Sequence, residues 1–261
     1  MAFDPRGLRV LVTGASSGIG AELAERFAAN GATVGLAARR ADRLAETLER
    51  CRAHSPESQL HVCDLAEPAE VDGLARWVLE TLGGVDVLVN NAGIPKRRHV
   101  SALDLATVEE VMRINYLSPV QLTLALLPQM LERGSGRIVN VASVAATLSS
   151  PGESSYDGSK AALAVFSEAM AVDLWESGVK VHIIYPGVVD TELFSLPGND
   201  PIPDEIARIP VSEFVDGVWE GLDRDALEIY VPAWFKDLAA NKAQDPQQFL
   251  AGTAEWVRTH K

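Results

Sequence analysis

The chain has 261 residues, 47% hydrophobic and 23% charged, which is the composition of a globular protein that buries a sizeable core. Its formal net charge of −13 argues against nucleic acid or an anionic membrane as a partner, because both would repel it. No apolar run is long enough to cross a bilayer, and no hydrophobic leader precedes the first strand-like segment. We therefore expect a soluble, cytoplasmic protein.

The first half of the chain alternates apolar, strand-like runs with amphipathic helical patterns, which is typical of βαβ units around a buried parallel sheet. Gly31 follows the first predicted helix, in a position that glycine favours. The pattern predicts strands at 8–13, 32–38, 59–63 and 85–90 and helices at 19–30, 42–53 and 67–82.

The second half continues with a long helical region, residues 104–133, in which Pro119 predicts a kink or a restart. Further strands are predicted at 137–142, 179–185 and 227–231, with helices at 154–177 and 212–222. Together these elements predict an α/β fold, a Rossmann-type doubly wound parallel sheet of about seven strands flanked by helices.

One domain is predicted over residues 1–231. Residues 187–210 are rich in proline and lack periodicity, which predicts a binding lid or a mobile segment. We expect residues 232–261 to form a C-terminal tail that packs on the same domain or on a neighbouring subunit.

A glycine-rich loop, Thr-Gly-Ala-Ser-Ser-Gly-Ile-Gly at residues 13–20, joins the first predicted strand to its helix. Glycines at such a place allow a tight turn and let a pyrophosphate approach the N–H groups of the helix N-terminus. A purely structural turn is the alternative, which the strand before and the helix after the loop disfavour. The predicted phosphate-binding residues are Gly14, Ser16, Ser17, Gly18, Ile19 and Gly20.

The end of the second predicted strand bears on which nicotinamide dinucleotide would bind. An acidic residue there would hydrogen-bond a ribose 2′-hydroxyl, whereas the arginine fork suits a 2′-phosphate. Ala38 is followed by Arg39 and Arg40, so we predict a preference for NADP(H), with Arg39 as the main phosphate-binding residue and NAD(H) dependence as the alternative. Arg43, one turn further on, fits better as a solvated charge.

Tyr156 and Lys160 lie four residues apart near the start of a predicted helix, so they share one face. A free tyrosine has a pKa of ~10, and a neighbouring ammonium lowers it, so such a pair can exchange a proton with a substrate oxygen. An ordinary surface pair has the same spacing. Ser143 follows the fifth predicted strand, at the sheet edge where parallel sheets bind ligands.

These features together resemble the short-chain dehydrogenase/reductase family, over residues 7–231. The resemblance rests on the glycine loop, Asp64, Asn90-Asn91-Ala92-Gly93, Asn115, Ser143, the Tyr156 and Lys160 pair, and Pro186-Gly187 with Thr191. It implies hydride transfer, without a metal, between NADP(H) and a secondary alcohol or carbonyl substrate. It also implies a homodimer or homotetramer, in which the helix over 116–131 and the helix bearing Tyr156 meet a second subunit.

The resemblance implies a role for each matching residue. Tyr156 would be the general acid/base, Lys160 would lower its pKa and hold the nicotinamide ribose, and Ser143 would polarise the substrate carbonyl. Asn115 would hold a water that connects Lys160 to solvent.

The implied cofactor contacts continue around the cleft. Asp64 would meet the adenine amino group beside Leu65, and Asn91 would line the adenosine ribose. Val189 and Thr191 would line the nicotinamide carboxamide. The predicted cofactor set is completed by Ala92, Gly93, Pro186 and Gly187, and by the catalytic Tyr156 and Lys160.

Other readings stay compatible with parts of the sequence. A non-catalytic nucleotide-binding regulatory protein could share this fold, but it would not need all four predicted catalytic residues. A sugar-nucleotide epimerase or dehydratase resembles a longer chain with a larger C-terminal domain. The basic run at residues 96–99, Lys-Arg-Arg-His, predicts either a solvated loop or recognition of an acidic substrate group.

Overall fold

The computed structural model describes residues 3–201 and 205–259. Its strands are β1 (Arg9–Thr13), β2 (Thr33–Ala38), β3 (Gln59–Val62), β4 (Val87–Asn90), β5 (Gly136–Val141), β6 (Val179–Pro186) and β7 (Glu228–Val231). They form one sheet in the order β3-β2-β1-β4-β5-β6-β7, and every adjacent pair is parallel. The predicted fold class, a doubly wound parallel sheet flanked by helices, is confirmed.

Helices cover both faces of the sheet. They are α1 (Gly18–Ala29), α2 (Ala41–Arg52), α3 (Pro68–Thr81), α4 (Leu105–Met112), α5 (Ser118–Arg133), α6 (Ala145–Leu148), α7 (Ser154–Asp173), α8 (Val211–Asp223), α9 (Phe235–Gln244) and α10 (Pro246–Thr259). Residues of α1, α2 and α8 pack on one face, and residues of α3, α5 and α7 pack on the other.

The continuous apolar run of β1 follows from this two-sided burial. Val10 and Val12 belong to the core under α1, whereas Leu11, between them, belongs to the core under α3 and α5. All three side chains are fully buried. Because successive strand residues point to opposite faces, a central strand covered on both sides needs apolar residues at every position.

The strand order reverses at β1, which lies between β2 and β4. In open α/β sheets, ligands bind in the crevice at such a reversal, beyond the carboxyl ends of the strands. Here the carboxyl ends of β1, β4, β5 and β6 open onto one cleft. The fold therefore brings the glycine loop and the segments after β4, β5 and β6 to the same edge.

The predicted long helix at 104–133 is interrupted. A π-helical turn, Arg113–Leu117, separates α4 from α5, and α5 begins at Ser118 with Pro119 in its first turn. Pro119 therefore marks a restart, as predicted, and Gly134 ends α5 in the left-handed conformation. The short helix α6 was not predicted, and α7 ends at Asp173, short of the predicted residue 177.

The described parts of the lid and tail lie beside the cleft. A 3₁₀ turn occupies Glu192–Ser195 of the predicted lid, whose residues 202–204 lie outside the described residues. In the tail, Phe235 of α9 packs so closely on Gly187 that a Cβ there would lie 2.5 Å from its ring. The division into a domain 1–231 and a tail stays a prediction. Across the described ranges, no helix is long and apolar enough to cross a membrane.

Candidate active site

The glycine loop is built against the segment that follows β4. Gly14 and Gly18 have φ angles of +67° and +53°, which L side chains rarely adopt. A Cβ on Gly14 would lie 2.8 Å from Cα of Ala92, and one on Gly20 would lie 2.4 Å from the Gly14 carbonyl oxygen. No side chain fits in either gap, so both glycines are needed for the loop to pack against the segment after β4 at the N-terminus of α1.

Asn91 and Thr13 fix this loop to β4. The Thr13 hydroxyl accepts hydrogen bonds from the N–H groups of Asn91 (3.0 Å) and Ala92 (3.1 Å). The Asn91 side-chain amide donates to the Thr13 carbonyl at 2.9 Å. Asn91 lines the cleft, as the sequence predicts, but its amide nitrogen also holds the cofactor loop in place.

Both predicted phosphate-binding arginines lie at the entrance of the cleft. The Arg40 guanidinium donates to the hydroxyls of Ser16 (3.2 Å) and Ser17 (2.7 Å) and pairs with the carboxylate of Glu192. Arg39 lies 3.6 Å from the Asp64 carboxylate, with 58% of its side chain exposed. Arg40 is therefore the arginine that bridges the glycine loop to the lid.

Asp64 and Leu65 line the cleft next to Arg39. One Asp64 carboxylate oxygen accepts the N–H of Ala66 at 2.9 Å, which fixes the turn after β3. The Leu65 carbonyl accepts the hydroxyl of Ser118, at the start of α5. Both predicted adenine-side residues therefore occupy an ordered wall of the cleft.

Tyr156 and Lys160 project from the first turns of α7 into the cleft. The Lys160 ammonium donates to the Val141 carbonyl at the end of β5 (2.7 Å) and lies 5.8 Å from the centre of the Tyr156 ring. The Ser143 hydroxyl, which accepts the N–H of Ala145 at 3.1 Å, lines the same cleft as Tyr156. The structure thus brings three of the predicted catalytic side chains together.

Burial works against the charged forms of both catalytic groups. It raises the pKa of the Tyr156 phenol above its ordinary value, and the Glu153 and Asp157 carboxylates raise it further. The neighbouring Ser143 hydroxyl and the charge of Arg97 lower the pKa of Tyr156. Burial also lowers the pKa of Lys160 to about 8. A lowering of the Tyr156 pKa by Lys160 stays a prediction.

Asn115 lies in the π-helical turn and is fully buried. Its side-chain oxygen accepts the N–H of Ile94 (2.8 Å), and its amide donates to the Ile94 carbonyl (3.0 Å) and to the Ser159 hydroxyl (3.0 Å). Both amide donors are therefore used, whereas the oxygen keeps a second lone pair. Asn115 positions the segment after β4 against α7, and a water would have that lone pair as its acceptor.

Pro186, Gly187, Val189 and Thr191 line the cleft beyond β6. The Pro186 carbonyl accepts the N–H of Val144 at 3.0 Å, which joins this segment to the one after β5. The Thr191 methyl group would lie 3.0 Å from a Cβ on Gly18. The predicted carboxamide-side residues therefore lie over the helix end of the glycine loop.

A buried polar ladder under the catalytic residues was not predicted. Asn90 donates to the side chains of Asn140 (2.8 Å) and Thr123 (3.1 Å), and Asn140 donates to Ser167 of α7 (2.7 Å). Asn90 and Asn140 are register partners on β4 and β5. Only the placement of asparagines at two strand ends could have indicated it. The ladder fixes α7, and with it Tyr156, to the sheet.

Arg97 and Glu153 also line the cleft. In the sequence Arg97 belongs to a basic run, and no role was predicted for Glu153. A solvated loop at residues 96–99 is wrong for Arg97, which is only 4% exposed. Lys96 does follow the solvated pattern, because its ammonium lies 3.2 Å from the partly exposed Glu110 carboxylate. Glu153 directly precedes α7 and lies 3.5 Å from the Arg97 guanidinium.

The sequence profile described as "short chain dehydrogenase" matches residues 9–199. The chain belongs to this family. Dehydrogenase/reductase SDR family member 7B of Mus musculus is 41% identical over 193 residues, 72% of this chain and 59% of that protein. A fatty acyl-CoA reductase of Acinetobacter baylyi is 35% identical over 192 residues, 73% of this chain and 65% of its own. This short-chain dehydrogenase thus spans about three fifths of the length of its first curated relatives.

Solved structures match more of this family member. A short-chain dehydrogenase from Sphingobium yanoikuyae in complex with NADPH superposes with a TM-score of 0.82 at 30% identity, over 92% of this chain and 95% of that one. L-sorbose reductase from Gluconobacter frateurii, complexed with NADPH and L-sorbose, has a TM-score of 0.78 at 28% identity, over 88% and 97%. Both of these solved structures share the fold of this chain and contain NADPH.

Proposed function

We propose that this short-chain dehydrogenase transfers a hydride between NADP(H) and a secondary alcohol or carbonyl substrate. One observation carries the proposal. The Tyr156 phenol, on the same helix face as Lys160, lies together with Ser143 in a cleft that is continuous with the glycine loop. A proton-transfer group and a phosphate-binding loop in one cleft are the two parts that such a reaction needs.

The residues present fit a bound dinucleotide. Gly14 and Gly20 leave no room for a side chain, so the loop packs tightly at the N-terminus of α1, where the N–H groups of a helix suit a phosphate. Ser16, Ser17 and Arg40 supply further donors on one side of this loop. In the proposal Lys160, at the far end of the cleft, holds the ribose beside Tyr156.

The protein's own groups move the proton. When bound, the dinucleotide supplies or accepts the hydride at its nicotinamide ring. In reduction, Ser143 donates a hydrogen bond to the substrate carbonyl oxygen, and Tyr156 delivers its phenolic proton to that oxygen. The Lys160 ammonium stabilises the resulting phenolate. A water on the free lone pair of Asn115 then returns a proton from solvent towards Lys160, and oxidation runs in reverse.

The preference for NADP(H) over NAD(H) is supported by charge at the cleft entrance. No acidic residue occupies the end of β2, where Ala38 is followed by Arg39 and Arg40. Both guanidinium groups lie at the cleft, and Arg40 already donates to the glycine-loop hydroxyls. A ribose 2′-phosphate placed beside this loop would meet charge-assisted donors.

The substrate end of the cleft favours an apolar carbonyl compound. Ile94, Pro95 and Val144 line it from the segments after β4 and β5, and Leu193 and Phe194 line it from the lid. Apolar walls around a few polar groups are typical of small-molecule sites, in which the polar groups orient the reacting atom. Here Ser143 and Tyr156 are the orienting groups.

We also propose that the protein is a homodimer or homotetramer. The second half of the chain exposes large apolar side chains on two helices and the turn beyond: Leu124 of α5 (58%), Val165 (63%) and Val172 (73%) of α7, and Trp175 (79%). Contact with a second subunit would bury them.

The decisive experiment measures turnover of ketones, aldehydes, alcohols and acyl thioesters with NADPH and NADH, from the nicotinamide absorbance. Tyr156→Phe should lose at least ~100-fold in kcat, because general acid–base catalysis contributes about 10²–10⁴-fold. Its NADPH dissociation constant should be unchanged. Tyr116→Phe, outside the cleft, is the matched control and should keep wild-type turnover. Turnover retained by Tyr156→Phe would refute the assigned role.

A further inference from the structure

Arg97 is a buried cation in the wall of the substrate cleft. It follows β4 by a short segment, and only 4% of it is exposed. Its Nε donates to the Asp200 carbonyl and one terminal nitrogen donates to the Phe194 carbonyl, both at 2.8 Å. A guanidinium taken out of water is destabilising unless it is paired and hydrogen-bonded. These contacts therefore compensate for the burial of Arg97.

The backbone of Arg97 binds the same segment of the lid. Its N–H donates to the side-chain oxygen of Asn199 at 2.8 Å, and its carbonyl accepts the N–H of Asp200 at 2.9 Å. The guanidinium carbon also lies 5.3 Å from the centre of the Phe194 ring, in cation–π contact. Arg97 thus joins the segment after β4 to lid residues 194–200 through four hydrogen bonds and one ring contact.

Glu153 supplies the counter-charge. Its carboxylate lies 3.5 Å from a terminal nitrogen of Arg97, and the two side chains are 13% and 5% exposed. Glu153 precedes Tyr156 by three residues, so the ion pair lies next to the catalytic phenol. Besides Lys160, whose ammonium lies 5.8 Å from the centre of the Tyr156 ring, the charged groups beside Tyr156 are Glu153 and Asp157, which raise its pKa, and Arg97, which lowers it. The effects of Glu153 and Arg97 on Tyr156 oppose each other.

This arrangement disfavours Arg97 as a receptor for an acidic substrate. Its charge is already matched by Glu153, and its best-placed donors end on lid carbonyls rather than in the cleft. A substrate carboxylate would therefore have to displace the lid or lie close to the Glu153 carboxylate. The cleft behind the apolar lid side chains favours uncharged compounds.

We infer that Arg97 and Glu153 are positioning residues for the proposed reaction, with Arg97 fixing lid residues 194–200 over the substrate and Glu153 neutralising the guanidinium, so that the site selects uncharged carbonyl compounds. The inference rests on the proposed function for its reaction. The attachment of the lid does not depend on it, and the two can be tested separately.

The first test is hydrogen exchange, which needs no turnover. In Arg97→Gln, amides of residues 192–201 should exchange at least tenfold faster than in the wild-type protein. Lys96→Gln is the matched control, because Lys96 comes from the same basic run but pairs with Glu110. Unchanged exchange of residues 192–201 in Arg97→Gln would overturn the inference. Arg97→Gln/Glu153→Gln leaves no unpaired buried charge, so it serves if the single variant does not fold, and it should exchange equally fast.

The second test uses the pH profile of kcat/KM, which a merely structural role would leave in place. Removing the negative charge in Glu153→Gln should move the limb assigned to Tyr156 to lower pH, and Arg97→Gln should move it to higher pH. Arg97→Gln should also raise KM more than it lowers kcat, because the lid positions the substrate. If the limb assigned to Tyr156 moved in the same direction in both variants, Glu153 and Arg97 would not have opposing electrostatic effects on Tyr156.

The third test compares a keto acid with its methyl ester. The wild-type protein should prefer the ester by at least tenfold in kcat/KM. A preference for the acid that is lost in Arg97→Gln would show that Arg97 binds a substrate anion, and would overturn the selection. Absence of turnover with every compound would instead refute the proposed function, while the exchange result would still decide the attachment of the lid.

Discussion

Replacing Arg40 by glutamine tests the preference for NADP(H) over NAD(H). Of the two cleft arginines, Arg40 is the one that donates hydrogen bonds to the glycine loop. Arg40 donates to the Ser16 and Ser17 hydroxyls at 3.2 Å and 2.7 Å, so it is positioned beside the loop where a 2′-phosphate would lie. Hydrogen bonds to charged groups contribute about 1.5–3 kcal/mol. Because 42% of the Arg40 side chain is exposed, we expect a contribution near the lower end of this range.

A loss of ~1.4 kcal/mol corresponds to about a tenfold weaker NADPH dissociation constant, whereas NADH binding should change by less than about twofold. Glu192 pairs with Arg40, and its carboxylate would repel the same phosphate. Glu192→Gln should therefore tighten NADPH binding and leave NADH binding unchanged. Arg40 and Glu192 are ion-pair partners, so the effects of their substitutions should not add in the double variant.

Fluorescence titration with NADPH and NADH at two salt concentrations measures these constants. Arg43→Gln is the matched control, since Arg43 lies one turn further along α2, and Arg39→Gln measures the second cleft arginine. Equal weakening of NADPH and NADH by Arg40→Gln would mean that Arg40 acts on the glycine loop rather than on a phosphate. A Kd for NADPH unchanged in both Arg39→Gln and Arg40→Gln would refute the reasoning.

Three further outcomes are expected. Burial lowers the pKa of Lys160 to about 8, so the charged form of Lys160 destabilises the fold below that pH. Lys160→Met should therefore raise the free energy of unfolding at pH 7, although it should abolish turnover. That gain should shrink as denaturation is repeated at rising pH up to ~10.4, the ordinary lysine pKa; a gain independent of pH would contradict the burial effect. Gly187→Ala should raise KM several-fold by displacing Phe235, and Gly187→Ala/Phe235→Leu should restore it, both read by steady-state kinetics. Trp175→Glu should shift the mass in light scattering towards the monomer with turnover per site reduced less than twofold, and an unchanged mass would remove this surface from the interface.

The sheet was predictable because its signal is local. The central strands β1 and β4, covered on both faces, contain short buried apolar runs, and glycine or proline lies near many of the strand ends. The glycine loop and the Tyr156 and Lys160 pair were predictable for the same reason, since neighbouring residues carry the pattern. The family resemblance supplied the order of the motifs, which the profile match over residues 9–199 supports.

What sequence could not supply were contacts between distant segments. Arg97 belongs to a run of basic residues that is typical of a solvated loop, and its burial depends on lid carbonyls about a hundred residues away. Arg39 and Arg40 are adjacent in the chain, yet only the start of α2 decides which one faces Ser17. The helices of the tail were expected only in part, because their contacts with Gly187 leave no periodic signal.

The π-helical turn at Arg113–Leu117 makes this part of the chain sensitive to the insertion or deletion of a residue. Such a turn holds one residue more than an ordinary helical turn, so it rotates everything beyond it by about 100° relative to an uninterrupted helix. Asn115 reaches Ile94 and Ser159 from within this irregular turn. A relative that lacks the extra residue would have a regular, more stable helix here and would keep its fold. Its asparagine side chain would no longer point in the direction that Asn115 has. Selection for stability alone would therefore remove this feature first.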